Sequence, residues 1–255
     1  MTTYLLHKHK LFQSLKINVD TFMGFIAKIQ RGYKDLTYHN KTHGADVCQT
    51  VYFYSMKGGF YQKAKLDDIE LASMLIGGAC HDHEHPGFNN AYLVESKNEI
   101  AIRYNDVSVL ENHHVASTFA LFQQEKYNIF KNFEKADYKK MRSKIINCIL
   151  ATDMAKHFSE QSKFKSRMAA EDFDPAGSDK DICMNIVFHL ADISNPAKSF
   201  DICLKWTELL YVEFFHQGDL ERHAGGPISY LMDRTSTNIA KAQAGFIDFI
   251  IMPSY

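Results

Sequence analysis

Cysteine is scattered and unpaired along the chain. Five occur, at Cys48, Cys80, Cys148, Cys183 and Cys203, with no C-x-x-C pair among them. An odd, widely spaced set argues against a disulfide framework or a zinc knot and suits reduced core thiols. Excess charge of either sign is also missing. Lys+Arg 29 against Asp+Glu 30 leaves a formal net charge of -1, which removes any global electrostatic case for nucleic acid or an anionic membrane as partner. No uninterrupted apolar run reaches spanning length and no charged-then-apolar leader opens the chain. The expectation is a soluble cytoplasmic domain without a membrane segment. Proline is scarce. Three of the five prolines sit at breaks, in Pro86-Gly87, Asp174-Pro175-Ala176-Gly177 and Asn195-Pro196. Sustained period-2 alternation, internal repeats, low-complexity tracts and linkers are all wanting.

What is present is helical period. Ile69, Ala72, Leu75, Ile76 and Ala79 repeat at three and four behind Asp67-Asp68, a cap with favourable charge for a helix start. Met141, Ile145, Cys148, Ile149 and Thr152 repeat likewise, as do Ile182, Ile186, His189, Leu190 and Ile193. Trp206, Leu209, Leu210 and Phe214 form another stripe, and Ile239, Ala242, Phe246 and Phe249 the last. The pattern predicts an all-α fold in a single compact domain, for which 255 residues suffice. The polar, glycine-containing stretches 159–180 and 218–237 read as loops.

His81-Asp82 closes the apolar run Ile69 to Cys80. Adjacent residues there offer a borderline nitrogen and a hard oxygen ligand, and an aspartate with two oxygens can bridge two cations. Alone, such a dipeptide is more often structural. It has company in His39 and His43, Glu111-Asn112-His113-His114, Thr152-Asp153 and His189-Leu190-Ala191-Asp192. On a helix, His39 and His43 share one face, one turn apart. Asp192 lies beside an apolar stripe, where a carboxylate is costly unless paired or bound to a cation. Taken singly, each of these residues has an ordinary structural reading as a surface, capping or salt-bridged group.

As an ordered set they resemble a known family. Tyr38-His39-Asn40-x-x-His43-x-Ala45-Asp46-Val47, His81-Asp82-x-x-His85-Pro86-Gly87, Tyr104-Asn105-Asp106-x-Ser108-Val109-Leu110-Glu111-Asn112-His113-His114, Ala151-Thr152-Asp153-Met154, Ala191-Asp192-Ile193-Ser194-Asn195-Pro196, Glu213-Phe214-Phe215-x-Gln217-Gly218-Asp219 and Gln243-x-Gly245-Phe246-Ile247-Asp248 occur in that order. They look like the catalytic domain of the class I 3′,5′-cyclic nucleotide phosphodiesterases, within the His-Asp metallohydrolases. The resemblance implies a dimetal site in a deep pocket. His43, His81, Asp82 and Asp192 match the ligands of a tightly held metal, usually zinc, and Asp82 the bridge to a second, usually magnesium or manganese. His85, Glu111 and Thr152 match residues that orient the waters, and His39 the general acid, held by Glu111. Gln243 matches the reader of the purine edge and Phe246 the stacking ring. Leu210 and Phe214 match the opposite wall, and Asn195 a position near the base. Relative to that family both ends look shortened, with no regulatory module in the chain.

The chemistry suits these residue types. Two cations neutralise the phosphoryl oxygens and lower the pKa of a shared water toward about 7, giving the attacking hydroxide. An imidazolium donating to the departing O3′ can supply about 10²–10⁴ of the rate. The implied reaction is hydrolysis of a cyclic nucleotide to a nucleoside 5′-monophosphate, in signal termination. Two readings compete with it: another His-Asp phosphohydrolase, and a catalytically inactive binding domain. A glutamine amide can satisfy adenine or guanine by rotation; overall resemblance leans to cAMP. The oligomeric state is not readable, and a homodimer stays open.

Overall fold

Asp67 and Glu70 start the helix at the centre of the molecule with a reciprocal capping box. The Asp67 carboxylate accepts from the Glu70 amide at 3.0 Å, and the Glu70 carboxylate accepts from the Asp67 amide at 3.0 Å. Every residue of the helix Asp68–Cys80 from Glu70 onward is buried, so the predicted stripe has widened to the whole circumference. That is the pattern of a core helix. Lys41–Met56 and Lys135–Leu150 flank it, and Lys180–Asp192 packs across both.

The computed structural model describes residues 1–255 and holds fourteen α-helices, three 3-10 turns, one π turn and no β-strand. The all-α expectation is met, in one body. No helix is long and apolar enough to cross a membrane. Phe22 and Phe25 from the helix Val19–Gly32 meet Phe119, Phe122 and Phe130 in the main core. Ring centroids there lie 4.7 Å apart for Phe25–Phe122 and 4.6 Å for Phe122–Phe130. Each such buried side chain contributes about 1.5–3 kcal/mol. A second cluster, Val47, Val51, Met74, Met184 and Phe188, joins the three helices Lys41–Met56, Asp68–Cys80 and Lys180–Asp192.

Helix ends present those ligands. His81-Asp82 follows Cys80, Asp192 is the last residue of Lys180–Asp192, His43 stands in the first turn of Lys41–Met56, and Glu111 in that of Val109–Leu121. Near the other end of the central helix, buried Glu70 gathers Lys140, Lys144 and Lys180 at 3.3, 3.9 and 3.1 Å, tying three helices together.

Two predicted loops are shorter than expected. Residues His157–Met168 form a helix, and Phe200–His223 runs on past Gly218. The first buries only His157, so it carries no apolar stripe to read. Its Arg167 grips Asp179 through two bonds of 2.7 and 2.9 Å, closing the irregular segment 169–179. Gly218 breaks nothing. A Cβ there would stand 1.8 Å from Met232 O, so the glycine makes room for the returning segment 224–238.

Candidate active site

His81 sets the geometry of the first donor cluster. Its Nδ1–H donates to Gly78 O at 2.9 Å, and a carbonyl only accepts, so the neutral ring presents its lone pair from Nε2. That Nε2 lies 3.2 Å from His43 Nε2, 3.1 Å from Asp82 Oδ2 and 3.2 Å from Asp192 Oδ1. His43 Nε2 lies 3.0 Å from Asp192 Oδ1 and 3.4 Å from Asp82 Oδ2. Four tetrahedral ligands with bonds of 2.0–2.2 Å stand about 3.3–3.6 Å from one another. The observed spacings of 3.0–3.4 Å run up to about 0.3 Å shorter than that, so a bound metal would spread the two nitrogen and two oxygen donors slightly. Without a cation, only protons can hold such lone pairs together. Burial alone lowers the pKa values of His43 and His81, but the Asp192 and Asp82 carboxylates outweigh it and raise both. Burial likewise opposes ionisation of Asp82 and Asp192, and the two imidazoles overcome it and hold both carboxyls down.

The second Asp82 oxygen faces elsewhere. Oδ1 lies 3.5 Å from His114 Nε2. His114 Nδ1–H donates to His83 O at 2.8 Å, leaving Nε2 buried with a lone pair and no partner. His85 Nδ1 accepts from the Gly87 amide at 3.0 Å, which puts its proton on Nε2. Burial lowers His114 to about 4, and burial with the neighbouring His39 lowers His85 well below the usual imidazole range. An oxygen of Asp82 and ring nitrogens of His85 and His114 all lie within 4.8 Å of one another, His114 Nε2 being the nitrogen with a free lone pair. Asp82 thus addresses two donor sets with its two oxygens.

A cavity of about 480 Å³ opens over this face, lined by Asp82, His85, Glu111, Thr152 and Asp192 among others. Thr152 Oγ1 donates to Ile149 O at 2.8 Å, leaving its lone pairs to the cavity. Burial, then the charge of Asp153, raises Glu111 to about 7.

His39 departs from expectation twice. Asn40 caps the helix Lys41–Met56, accepting from the Thr42 and His43 amides at 2.8 and 3.3 Å, so His39 precedes the helix and does not share its face. Its ring stands 5.8 Å from that of His43, at 86°. It stacks on His85 at 4.0 Å. Glu111 does not hold it. Glu111 accepts from Asn90 Nδ2 at 3.1 Å, while His39 Nδ1 is bonded to Glu213 Oε1. Glu213 Oε2 accepts from the Tyr38 and His39 amides at 3.0 and 3.2 Å. Burial alone would raise Glu213; the His39 bond and these amides outweigh it and lower its pKa. An ionised carboxylate only accepts, so the His39 proton on this side is on Nδ1.

A second cavity of about 240 Å³ adjoins the first and shares His39, Asp192 and Phe214 with it. All five expected base-site residues, Asn195, Leu210, Phe214, Gln243 and Phe246, line it. Gln243 and Phe246 stand on one helix, Ile239–Phe246. Tyr38 Oη donates to Asn195 Oδ1 at 2.6 Å, which leaves Asn195 Nδ2 buried and unpartnered. Thr207 Oγ1 donates to Gln243 Oε1 at 3.4 Å. Sequence reasoning assigned no role to Tyr38, Trp206, Thr207, Glu213 or His114. Tyr38, Glu213 and His114 lay inside quoted motifs, and Trp206 is the sole tryptophan, its ring edge-on to Tyr38 and His43 at 5.5 and 5.9 Å.

Residues 38–255 match the family model for the 3′5′-cyclic nucleotide phosphodiesterase. The chain is 40% identical over 253 residues to the human dual specificity calcium/calmodulin-dependent 3′,5′-cyclic nucleotide phosphodiesterase 1B, covering 98% of this chain and 46% of that protein. It is 38% identical over 254 residues to the mouse 1C protein of the same description, covering 98% and 35%. Against a Caenorhabditis elegans probable 3′,5′-cyclic phosphodiesterase, pde-1, identity is 37% over 252 residues, covering 98% and 37%. The chain therefore spans less than half the length of these curated relatives. With its donor clusters and adjoining cavities in place, it belongs to the 3′5′-cyclic nucleotide phosphodiesterase family.

Proposed function

We propose that this chain hydrolyses 3′,5′-cyclic nucleotides to nucleoside 5′-monophosphates, as a cytoplasmic, metal-dependent catalytic domain. One observation carries the reading: four donor atoms, from His43, His81, Asp82 and Asp192, converge beside a cavity lined by Gln243 and Phe246. Two nitrogens and two oxygens suit zinc. The side of Asp82 Oδ1, open to the larger cavity, suits magnesium or manganese, which keep most of their waters. Bound there, two divalent cations supply Lewis-acid neutralisation of the phosphoryl oxygens and acidify water.

The remaining tasks fall to side chains. His85 offers an Nε2–H and Thr152 free lone pairs, which with Glu111 orient water in the larger cavity. His39, its Nδ1–H held by Glu213, gives a proton from Nε2 to O3′ as the P–O3′ bond breaks and the oxygen of a water that has released one proton to solvent bonds to phosphorus; a proton from solvent then restores the imidazolium. The ionised Glu213 stabilises the imidazolium that makes this transfer. Phe246 stacks on the base against the wall of Leu210 and Phe214, while Gln243 and the unpartnered Asn195 Nδ2 meet its polar edge.

Two of the relatives named above are dual-specificity enzymes, and we propose both cAMP and cGMP as substrates. The lean toward cAMP, made on overall resemblance, draws no support from these relatives. Purified protein supplied with zinc and magnesium, incubated with each nucleotide and resolved by chromatography, should yield the 5′-monophosphates. Release of 3′-monophosphates, or no turnover with metal bound, would overturn the reading.

A further inference from the structure

Tyr33 lies outside the quoted motifs and outside the span matched by the family model, yet its hydroxyl sits at the turn that bears His81 and Asp82. The helix Asp68–Cys80 ends by abandoning its own ladder. In a continuing helix the Asp82 amide would bond to Gly78 O. That carbonyl instead accepts from His81 Nδ1 at 2.9 Å, and the His83 amide turns back to Cys80 O at 3.0 Å. Ala79 C=O and Asp82 N–H are left without helical partners. Tyr33 Oη serves both, donating to Ala79 O at 3.1 Å and accepting from the Asp82 amide at 3.3 Å. A hydroxyl has one proton and two lone pairs, so a single group meets both needs.

The surroundings are shaped around that hydroxyl. A Cβ on Gly44, next to His43, would stand 2.6 Å from Tyr33 Oη. A Cβ on Gly32 would stand 2.0 Å from His83 Nε2. At Gly32-Tyr33, where the helix Val19–Gly32 ends, the hydroxyl is therefore bonded to the turn before the Asp82 carboxylate while the glycine leaves room for the His83 ring after it. His83 passes the constraint on, since its carbonyl accepts from His114 Nδ1 at 2.8 Å.

We propose that Tyr33 is a positioning residue for the candidate metal centre, its hydroxyl fixing the Asp82 backbone so that the two carboxylate oxygens face their separate donor sets. This rests on the metal-binding reading above. The test is zinc affinity by competition with a chromophoric chelator, well below the unfolding temperature, for wild type, Tyr33→Phe, Gly44→Ala and a core control, Phe25→Leu. Groups that orient metal ligands typically contribute about 10–100-fold in metal affinity. Tyr33→Phe keeps the ring and should bind zinc about 10–100-fold more weakly, while Phe25→Leu should lower Tm with zinc affinity unchanged. If Tyr33→Phe fails to fold, Gly44→Ala, which displaces the hydroxyl without deleting it, should show the same weakening. Wild-type zinc affinity in either folded variant overturns the proposal, leaving Tyr33 as packing. A wild-type protein that binds no zinc overturns the metal reading itself.

Discussion

His39 and Glu213 are separated by 174 residues and joined by a hydrogen bond from Nδ1 to Oε1. The same carboxylate also accepts from the backbone amides of Tyr38 and His39 at 3.0 and 3.2 Å, so it fixes the ring and the chain that carries it. If the pair acts as one proton-donating unit, the two residues are not independent. His39→Ala should lower kcat by about 10²–10⁴ with metal content intact. Glu213→Gln should lower it less, by roughly 10–10³, because the amide cannot stabilise an imidazolium as an anion does. The double variant should be no slower than His39→Ala alone. Multiplying losses in single-turnover measurements would separate the two residues and return Glu213 to a structural role.

How much of this the sequence disclosed depends on range. Asp67, Glu70 and the run to Cys80 spelled out the central helix, because capping and burial are local. His43, His81, Asp82 and Asp192 were legible as an ordered motif set, and the structure brings those four together. Contacts that jump between helices were not legible. Nothing near His39 in the sequence points to Glu213, and the resemblance implied Glu111 as its partner, whereas the bond goes to Glu213. Tyr33 carries no spacing signal at all, since its partners are backbone groups of Ala79 and Asp82. The helix His157–Met168 stayed hidden because it buries so little.

Removing the metal should make stability strongly pH-dependent. His43 and His81 have raised pKa values in the folded chain without metal, held up against burial by Asp192 and Asp82. Their contribution is complete below the unfolded histidine value of about 6.5 and is lost as pH rises through the folded values. Glu111, raised to about 7 by burial and then by Asp153, acts in the same direction, favouring the fold less as pH climbs from its unfolded value of about 4.3. Between pH 7.5 and pH 8.5, where His85 and His114, lowered by burial, are already neutral in both the folded and the unfolded chain, chelated protein should therefore melt lower as pH rises. Zinc binding needs deprotonated ligands, so the metal-induced rise in Tm should grow over the same interval. Scanning calorimetry of both forms checks this; a chelated Tm that rises with pH would show that other groups dominate.

Glu70 predicts a loss of stability without a loss of chemistry. It is 3% exposed, closes the capping box with Asp67 and faces Lys140, Lys144 and Lys180. The helix it starts spans 13 residues, so the ligand turn lies about 20 Å away at 1.5 Å per residue. Glu70→Ala should cost about 1–3 kcal/mol, allowing for lysines that are partly in water. Denaturant titration should show the shift, while turnover per folded molecule stays near wild type. A large fall in kcat at full folding would mean that the helix base is coupled to the site.

Gln243 and Phe246 should fail in different ways. Both line the smaller cavity from one helix, but only the amide can bond to the atoms by which adenine and guanine differ. Contacts to the base are made in ground and transition states alike, so Gln243→Ala should raise KM more than it lowers kcat. At about 0.5–1.5 kcal/mol for each of two buried hydrogen bonds, binding should weaken roughly 5–150-fold. Thr207, which donates to Gln243 Oε1 at 3.4 Å, should matter through the same amide. Thr207→Val should shift the ratio of kcat/KM for cAMP and cGMP without a comparable loss on both. Phe246→Ala should weaken both nucleotides together, through lost stacking area, and leave that ratio alone. If Gln243→Ala instead lowers Tm while keeping KM and the ratio, the amide is serving its helix, and the base site must be sought elsewhere along the cavity wall.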